Sequence, residues 1–306
     1  MLSISEFLVN KNINTKIEQK YSPKTKDELQ NIIKELISQE EYNLNCIDTS
    51  YITNMSYLFD IKNNGVDIHN IDNIDVSKWD VSKVRNMECM FYHCENFNCN
   101  ISNWDVSNVT NMRNMFNGCN KFNCDISGWD VSNVEDMSYM FEDCESFNCD
   151  ISNWDVNMVN NMSFMFAGCK NFNQPLNSWN VSNVKNMTGM FASCKNFNQP
   201  LYKWDTSNVK DMHLMFYGCK KFNCDISNWD VSNIRDMSQM FHTCENFNQP
   251  LDKWNMSNVK YMSFMFNGCT SFNQDLNGWD VSKVENTTWA FNGCTSLKNK
   301  PSWYRE

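Results

Sequence analysis

The sequence is poor in the residues that build nucleotide-binding loops and membrane-spanning segments. Only 9 glycines occur in 306 residues, and there is no glycine-rich phosphate loop, HExxH motif or GxSxG motif. Phosphate cradles need closely spaced glycines, and the other two motifs carry metalloprotease and serine-hydrolase chemistry. No stretch approaches the ~18 consecutive apolar residues of a transmembrane helix. These absences predict a protein that is not an enzyme and does not insert into a membrane.

Basic residues are outnumbered by acidic ones, with 26 Lys and Arg against 36 Asp and Glu. Because phosphate contacts require clustered positive charge, this balance predicts no nucleic-acid partner and disfavours an anionic membrane surface. The opening MLSISEFLVNKNINTKIEQK has neither the continuous apolar segment nor the small-residue cleavage site of a secretory signal. We therefore expect a cytoplasmic protein, in the host cytoplasm or a virion if its source is a virus.

Cysteine is abundant, with 15 residues, but no CxxC pair occurs. Cysteines that recur at a fixed interval point the same way, which is poor geometry for a disulfide. A zinc site needs four ligands that converge on one point. We expect buried, reduced thiols and no cofactor. One column has a strict 25-residue period: Cys94, Cys119, Cys144, Cys169, Cys194, Cys219, Cys244, Cys269 and Cys294. A partial column alternates with glutamine: Cys99, Cys124, Cys149 and Cys224.

Other residue types share the 25-residue period. The tryptophans are Trp79, Trp104, Trp129, Trp154, Trp179, Trp204, Trp229, Trp254 and Trp279, and a methionine column runs from Met87 to Met262. A fixed period of 20–50 residues is typical of a solenoid, in which each unit buries its apolar face against its neighbours. The recurring residues are therefore predicted to form the inner wall of about ten stacked coils.

Two spacings alternate within each unit. Phe147, Cys149 and Ile151 alternate with polar residues, which predicts a short strand. Met137, Met140 and Phe141 follow the i, i+3, i+4 spacing of one helical face. The predicted fold is an α/β repeat solenoid, a right-handed leucine-rich-repeat-like coil stack with one short parallel strand and one short helix per repeat. The recurring Asn98, Asn123, Asn148 and their successors are expected to hydrogen-bond along the stack.

The ends are predicted to cap the stack. Residues 22–40 have one apolar helical face, with Thr25 as a candidate N-cap. We divide the chain into an N-terminal segment and capping helix over residues 1–45, a solenoid over residues 46–297 and a C-terminal cap over residues 298–306. The first coil, residues 46–78, is irregular.

The motifs WDVSNV, DMSYMF and FNQPL resemble the 25-residue repeat of BspA-like leucine-rich-repeat proteins, also called the DUF285 or mycoplasma-lipoprotein-type repeat. The resemblance covers roughly residues 45–303. It implies a repeat fold and a role as a surface or interaction protein. Family members on cell surfaces carry a signal or lipobox; the sequence shows neither, so the cytoplasmic expectation stands.

A row of acidic residues is a first candidate for partner binding. It is expected on the open face of the strands, where prolines interrupt it, and a basic partner or a cation could relieve its repulsion. A simple solvated face remains the alternative. The row consists of Asp125, Asp150, Asp225 and Asp275.

An outward-looking apolar row is the second candidate. Apolar groups on a helical face can form a partner or self-association patch, although scattered exposed aromatics are also ordinary. The row contains Tyr139, Phe164, Leu214, Phe264 and Trp289, and Tyr202 is a weaker candidate in one coil. The sequence thus predicts a non-enzymatic protein–protein interaction scaffold with an acidic sheet face and a helical face. The alternative is a structural building block that self-associates into a homo-oligomer.

Overall fold

The computed structural model describes residues 20–59 and 74–305. The expected N-terminal segment before residue 20 and part of the irregular first coil lie outside these ranges. One α-helix, α1 (Lys26–Ser38), is present within them, followed by a 3₁₀ turn, Leu44–Cys46. Thr25 caps α1 as predicted, since its hydroxyl accepts the Glu28 N–H at 3.2 Å.

The parallel-strand and helix solenoid of leucine-rich-repeat type is wrong. In residues 20–59 and 74–305 no strand ladder and no helix occur in the repeats. Each 25-residue unit is instead a coil of successive tight turns, and neighbouring coils meet at single parallel bridges such as Asn111 with Asp136. The expected helical and strand faces therefore do not exist as such.

The predicted helix fails because every coil contains left-handed backbone where the helix would run. Tyr139 has φ 59° and Asp143 has φ 57°. A right-handed helix cannot continue through such residues. The amides around them bond within tight turns, such as Met140 N–H to the Met137 carbonyl at 3.2 Å, and not four residues back. The i, i+3, i+4 pattern of apolar residues comes from consecutive turns.

The remaining amides of this segment bond to the next coil. The N–H groups of Met137, Tyr139 and Phe141 donate to carbonyls 24 residues later, at 3.1, 2.8 and 2.9 Å. All these bonds run in one direction, towards the C-terminal end of the stack. We call this segment the ladder segment; it covers residues 137–143 in this coil and the equivalent residues of the other coils. Its amides alternate between turn bonds and inter-coil bonds.

The residues of the predicted strand are held to the preceding coil by side chains. Asn148 N–H donates to the Asn123 side-chain oxygen at 2.9 Å, where a sheet would use a backbone carbonyl. The same bond recurs along the column, as for Asn173 on Asn148. This confirms the predicted asparagine bonding along the stack and explains why no sheet forms.

The core is one continuous apolar cluster from α1 to the last coil. Phe141 and Phe147 stack within a coil at 4.0 Å between ring centroids, and Phe141 contacts Phe166 of the next coil at 5.8 Å. Trp154 is only 4% exposed. The recurring Trp, Met, Phe and Cys columns therefore form the inner wall, as the 25-residue period predicts.

Candidate functional site

The inner-wall residues bond to the preceding coil and are not available as a site. The Trp154 indole N–H donates to the Ile126 carbonyl at 3.2 Å. The Cys169 thiol donates to the Phe141 carbonyl at 2.9 Å, and burial raises its pKa well above the usual value. All 15 cysteines are free. The regular thiol column is thus a row of small buried donors, which accounts for cysteine at this position.

The partial Cys/Gln column has a related explanation. The Cys149 thiol donates to the Asp125 carboxylate at 3.6 Å, and the Gln174 amide donates to the Asn148 carbonyl at 2.9 Å. Either side chain reaches a polar atom of the preceding coil. Within residues 20–59 and 74–305 no three His, Cys, Asp or Glu side chains form a metal-binding group.

The acidic row lies on the surface, and its carboxylates close local turns. All four are exposed. Asp125 accepts from Ser127 N–H at 3.0 Å and from the Ser127 hydroxyl at 2.7 Å, and these bonds lower the pKa of the Asp125 carboxyl. Asp150 accepts from Ser152 N–H at 3.0 Å. Asp225 and Asp275 accept in the same way from the amide two residues on. This geometry explains their presence without a ligand.

The outward row of the ladder segment is the most distinctive apolar surface. Tyr139 and Phe164 are half-buried, and their rings stack at 5.0 Å between centroids with an interplanar angle of 10°. The Arg113 guanidinium lies 5.9 Å from the Tyr139 ring centroid. Phe164 also covers Gly189, where an added Cβ would lie 2.4 Å from its ring. These contacts hold the two rings in fixed positions at the surface.

The other residues of this row are less concentrated. Leu214 and Phe264 are half-buried, whereas Trp289 in the last coil is 58% exposed and meets the Phe264 ring edge at 5.3 Å. Tyr202 is 51% exposed but occupies another part of its coil, four residues before Thr206. The structure therefore brings Tyr139 and Phe164 together, and separately Phe264 and Trp289. It does not unite all predicted residues in one patch.

Sequence reasoning missed a basic column at the start of the ladder segments. It consists of Lys185, Lys210, Arg235 and Lys260, which we call the cationic row. The first three are exposed, and the Lys260 ammonium binds the Glu285 carboxylate of the next coil at 2.7 Å. That ion pair raises the pKa of Lys260 and lowers that of Glu285. The 25-residue spacing of the four cations was the available signal.

A second lysine column lies at the end of the ladder segments. It contains Lys170, Lys195 and Lys220. Here acidic residues flank the lysines. The Lys170 ammonium binds the Glu145 carboxylate, and the Lys220 ammonium binds the Glu245 carboxylate at 2.6 Å. The second lysine column therefore has a carboxylate partner at both of its ends, whereas the cationic row has one only at Lys260.

In the part of the chain that the structure describes, no helix could span a membrane, because its one α-helix, α1, is too short and too polar.

Comparison with known proteins gives four tandem, overlapping family matches, over residues 27–123, 60–158, 125–223 and 200–304. Each match is to the family described as Mycoplasma protein of unknown function, DUF285. No curated protein matches the chain. The family matches span nearly all of the repeats and α1, and they confirm the expected DUF285 repeat without extending to the leucine-rich-repeat naming. The chain belongs to the DUF285 family.

Proposed function

We propose that the chain is a non-enzymatic scaffold for protein–protein interaction. The observation that carries this proposal is the fixed Tyr139–Phe164 pair on the surface of a stack whose recurring residues are otherwise engaged in building it. Preorganised aromatic side chains are the residues that most often anchor protein interfaces, because they bury much area at little entropic cost. Kinship with the BspA-like proteins remains a prediction that rests on the sequence motifs.

The variation of the outward row supports an interaction role. At the position of Tyr139 and Phe164, other coils have Asn114, Gly189 or Gln239, while the inner wall hardly changes. This position holds different side chains in different coils, since the backbone bonds of the ladder segment do not involve them. The surface can therefore differ from coil to coil at a constant backbone geometry.

The acidic row has a smaller place in the proposal. Asp125 and Asp150 close their own turns, so stability alone accounts for an acceptor at these positions. Their exposed carboxylates would still favour a partner with basic residues opposite. We place the principal anchor at the aromatic pair and treat the acidic row as a secondary contact surface.

The test is affinity capture of partner proteins from a lysate of cells that express the chain naturally. The baits are the purified wild-type protein and the double variant Tyr139→Ser/Phe164→Ser. Gln239→Ser is the matched control, because it changes the same position of another coil without removing a ring. We expect at least one protein that the wild type and the control retain and the double variant loses. The purified partner should then bind the wild type at least tenfold more tightly than the double variant.

Two results would decide against this function. If every captured protein is retained equally by the double variant, the aromatic pair is not an anchor. If the only species lost is the chain itself, and sedimentation equilibrium shows a wild-type oligomer that the variant does not form, the self-associating building block is the correct alternative. Circular dichroism of each variant before capture excludes unfolding as the cause of any loss.

A further inference from the structure

The cationic row is unusual in a chain with a net charge of −10. Four consecutive coils place Lys185, Lys210, Arg235 and Lys260 at the same position. The coils themselves require no cation there, because Thr110, Glu135 and Asn160 occupy the position in earlier coils. Side chains at this position in adjacent coils lie within reach of each other, as the 2.7 Å ion pair between Lys260 and Glu285 shows.

Three of the four cations lack such a partner. Among the residues that the structure describes, no carboxylate lies within 4.0 Å of Lys185, Lys210 or Arg235. Like charges directly opposite each other on neighbouring extended segments are destabilising. The stack therefore maintains three adjacent positive charges whose repulsion no ion pair offsets. A ligand with several negative charges would offset it.

The middle of the row borders a surface cavity. Lys210 and Arg235 line it together with Asn233 and Asn258, and its volume is about 430 Å³. The two asparagine amides donate to carbonyls of the preceding coils, at 2.7 Å for Asn233 and 2.8 Å for Asn258. One wall of the cavity is thus fixed before any ligand arrives. Lys210 and Arg235 form the remaining lining.

We propose that the cationic row and this cavity bind an acidic peptide segment of a partner protein. This inference rests on the proposed interaction function and adds the chemistry of the partner. An extended peptide presents every second side chain on one side, about 6.6 Å apart. Phenylalanines of the same coils stack at 5.7 and 5.9 Å between centroids, so alternate carboxylates fall close to successive cations.

A short acidic peptide fits better than a nucleic acid. The row is followed directly by Glu285 at one end and is preceded at the other by the neutral Asn160 and then Glu135, and it spans only four coils. A uniformly charged, continuous polyanion would run past the row onto these acidic neighbours. A peptide segment can place its carboxylates only where the cations are, and neutral residues elsewhere.

The test uses a fluorescein-labelled peptide with four glutamates at alternate positions separated by serines, followed by fluorescence anisotropy in 50 mM salt. We expect saturable binding that Lys210→Gln/Arg235→Gln weakens at least tenfold. The control Lys195→Gln/Lys221→Gln removes the same charge from exposed lysines outside the row, and it should change the affinity less than twofold. Binding should weaken as salt is raised to 200 mM.

Three outcomes would overturn the proposal: no saturable binding, equal weakening by both double variants, or preferential binding of inorganic phosphate or an oligothymidylate of equal charge. Each variant is first checked by thermal unfolding, although exposed positions should tolerate glutamine. Failure here leaves partner capture through Tyr139 and Phe164 intact. Conversely, loss of that capture does not alter binding of the purified peptide, so the two proposals fail separately.

Discussion

The middle of the stack and its last coil have nearly the same turns but very different surroundings. In the coil around Tyr139, Val134, Met137 and Met140 are fully buried. In the last coil, Val284 is only half-buried, and Thr287 and Ala290 replace the two methionines. Full burial of positions such as Val134 and Met137 thus depends on the next coil. Where no full coil follows, the sequence changes to smaller or more polar side chains.

Backbone bonding differs in the same way. Met137, Tyr139 and Phe141 donate their N–H groups to the following coil. The equivalent groups of Thr287 and Trp289 have no acceptor among the residues described. Trp303 and Tyr304 cover the last coil only with side chains, as their rings pack on Phe291 at 5.9 and 5.1 Å between centroids. The end of the stack is capped in its apolar core but not along its ladder segment.

Alkaline pH should produce the largest effect on stability, and it should act on the thiols of the middle and of the end alike. Burial raises the pKa of the middle thiols, such as Cys144 and Cys169, well above normal, and that of Cys294 to about 12. Their stabilising effect is complete below the unfolded thiol pKa of about 8.5 and declines as pH rises towards the folded pKa. The limiting loss is about 1.4 kcal/mol per pH unit for each thiol.

The measurement is the urea midpoint between pH 7.5 and 10 in the presence of a reductant. Replacing Cys144, Cys169 and Cys194 by serine should make the decline with pH visibly shallower, because serine does not titrate. Replacing Cys294 alone should remove about a third as much of the decline as the triple variant does, because a folded pKa of about 12 also keeps its thiol protonated up to pH 10. An alkaline decline equally steep in wild type and triple variant would contradict the buried-thiol column.

Removal of a tryptophan should come next in size. Trp154→Ala deletes a buried ring and its bond to the Ile126 carbonyl, which we expect to cost about 3–5 kcal/mol in the free energy of unfolding. Trp303 is half-buried at the end of the stack, so Trp303→Ala should lower the free energy of unfolding by less than half as much. Denaturant unfolding followed by near-ultraviolet circular dichroism measures both. Equal costs would show that neighbouring coils do not supply the burial.

Exchanging the residues that distinguish the two regions sharpens the comparison. Met162→Thr places the end-coil residue in the middle and should cost about 2–5 kcal/mol, because it leaves a cavity at a fully buried site. Thr287→Met makes the reverse change at a half-buried site and should alter the free energy of unfolding by no more than about 0.5 kcal/mol. Calorimetry of both variants should show this asymmetry; comparable effects would be evidence against it.

The smallest effect is expected at the acidic surface. Asp150→Asn keeps an acceptor for the Ser152 amide and should change stability by less than about 0.5 kcal/mol. Asp150→Ala, which removes the acceptor, is the informative companion variant. Chemical denaturation compares them, and a large loss from the asparagine variant would mean that the carboxylate charge has a partner within the fold.

The sequence period was sufficient to identify the inner wall, because Trp154, Phe141 and their copies recur without insertion. It also identified the bonding of Asn148 along the stack. The strand prediction was wrong for that same reason, since the asparagine side chain takes the place of a backbone bond. The strand and the asparagine bonding were thus predicted for the same segment, and only the asparagine bonding is present.

The helix prediction was wrong because apolar spacing does not report the sign of φ. Met137, Met140 and Phe141 have helical spacing, but Tyr139 between them is left-handed. The signal lay in the same column of other coils, where Asn114 and Gly189 are residue types that favour that conformation. The Tyr139–Phe164 contact required coordinates, since no spacing rule gives ring orientation. The cationic row is visible in the sequence itself, from the 25-residue spacing of its four basic residues.

Amide hydrogen exchange tests the stacking of the coils most directly. The account predicts slow exchange for the amides of Met137, Tyr139 and Phe141, which bond to the next coil. It predicts exchange faster by at least tenfold for Thr287 and Trp289 at the same positions of the last coil. Equal exchange at the two sets of positions would show that the inter-coil bonds do not hold the stack together.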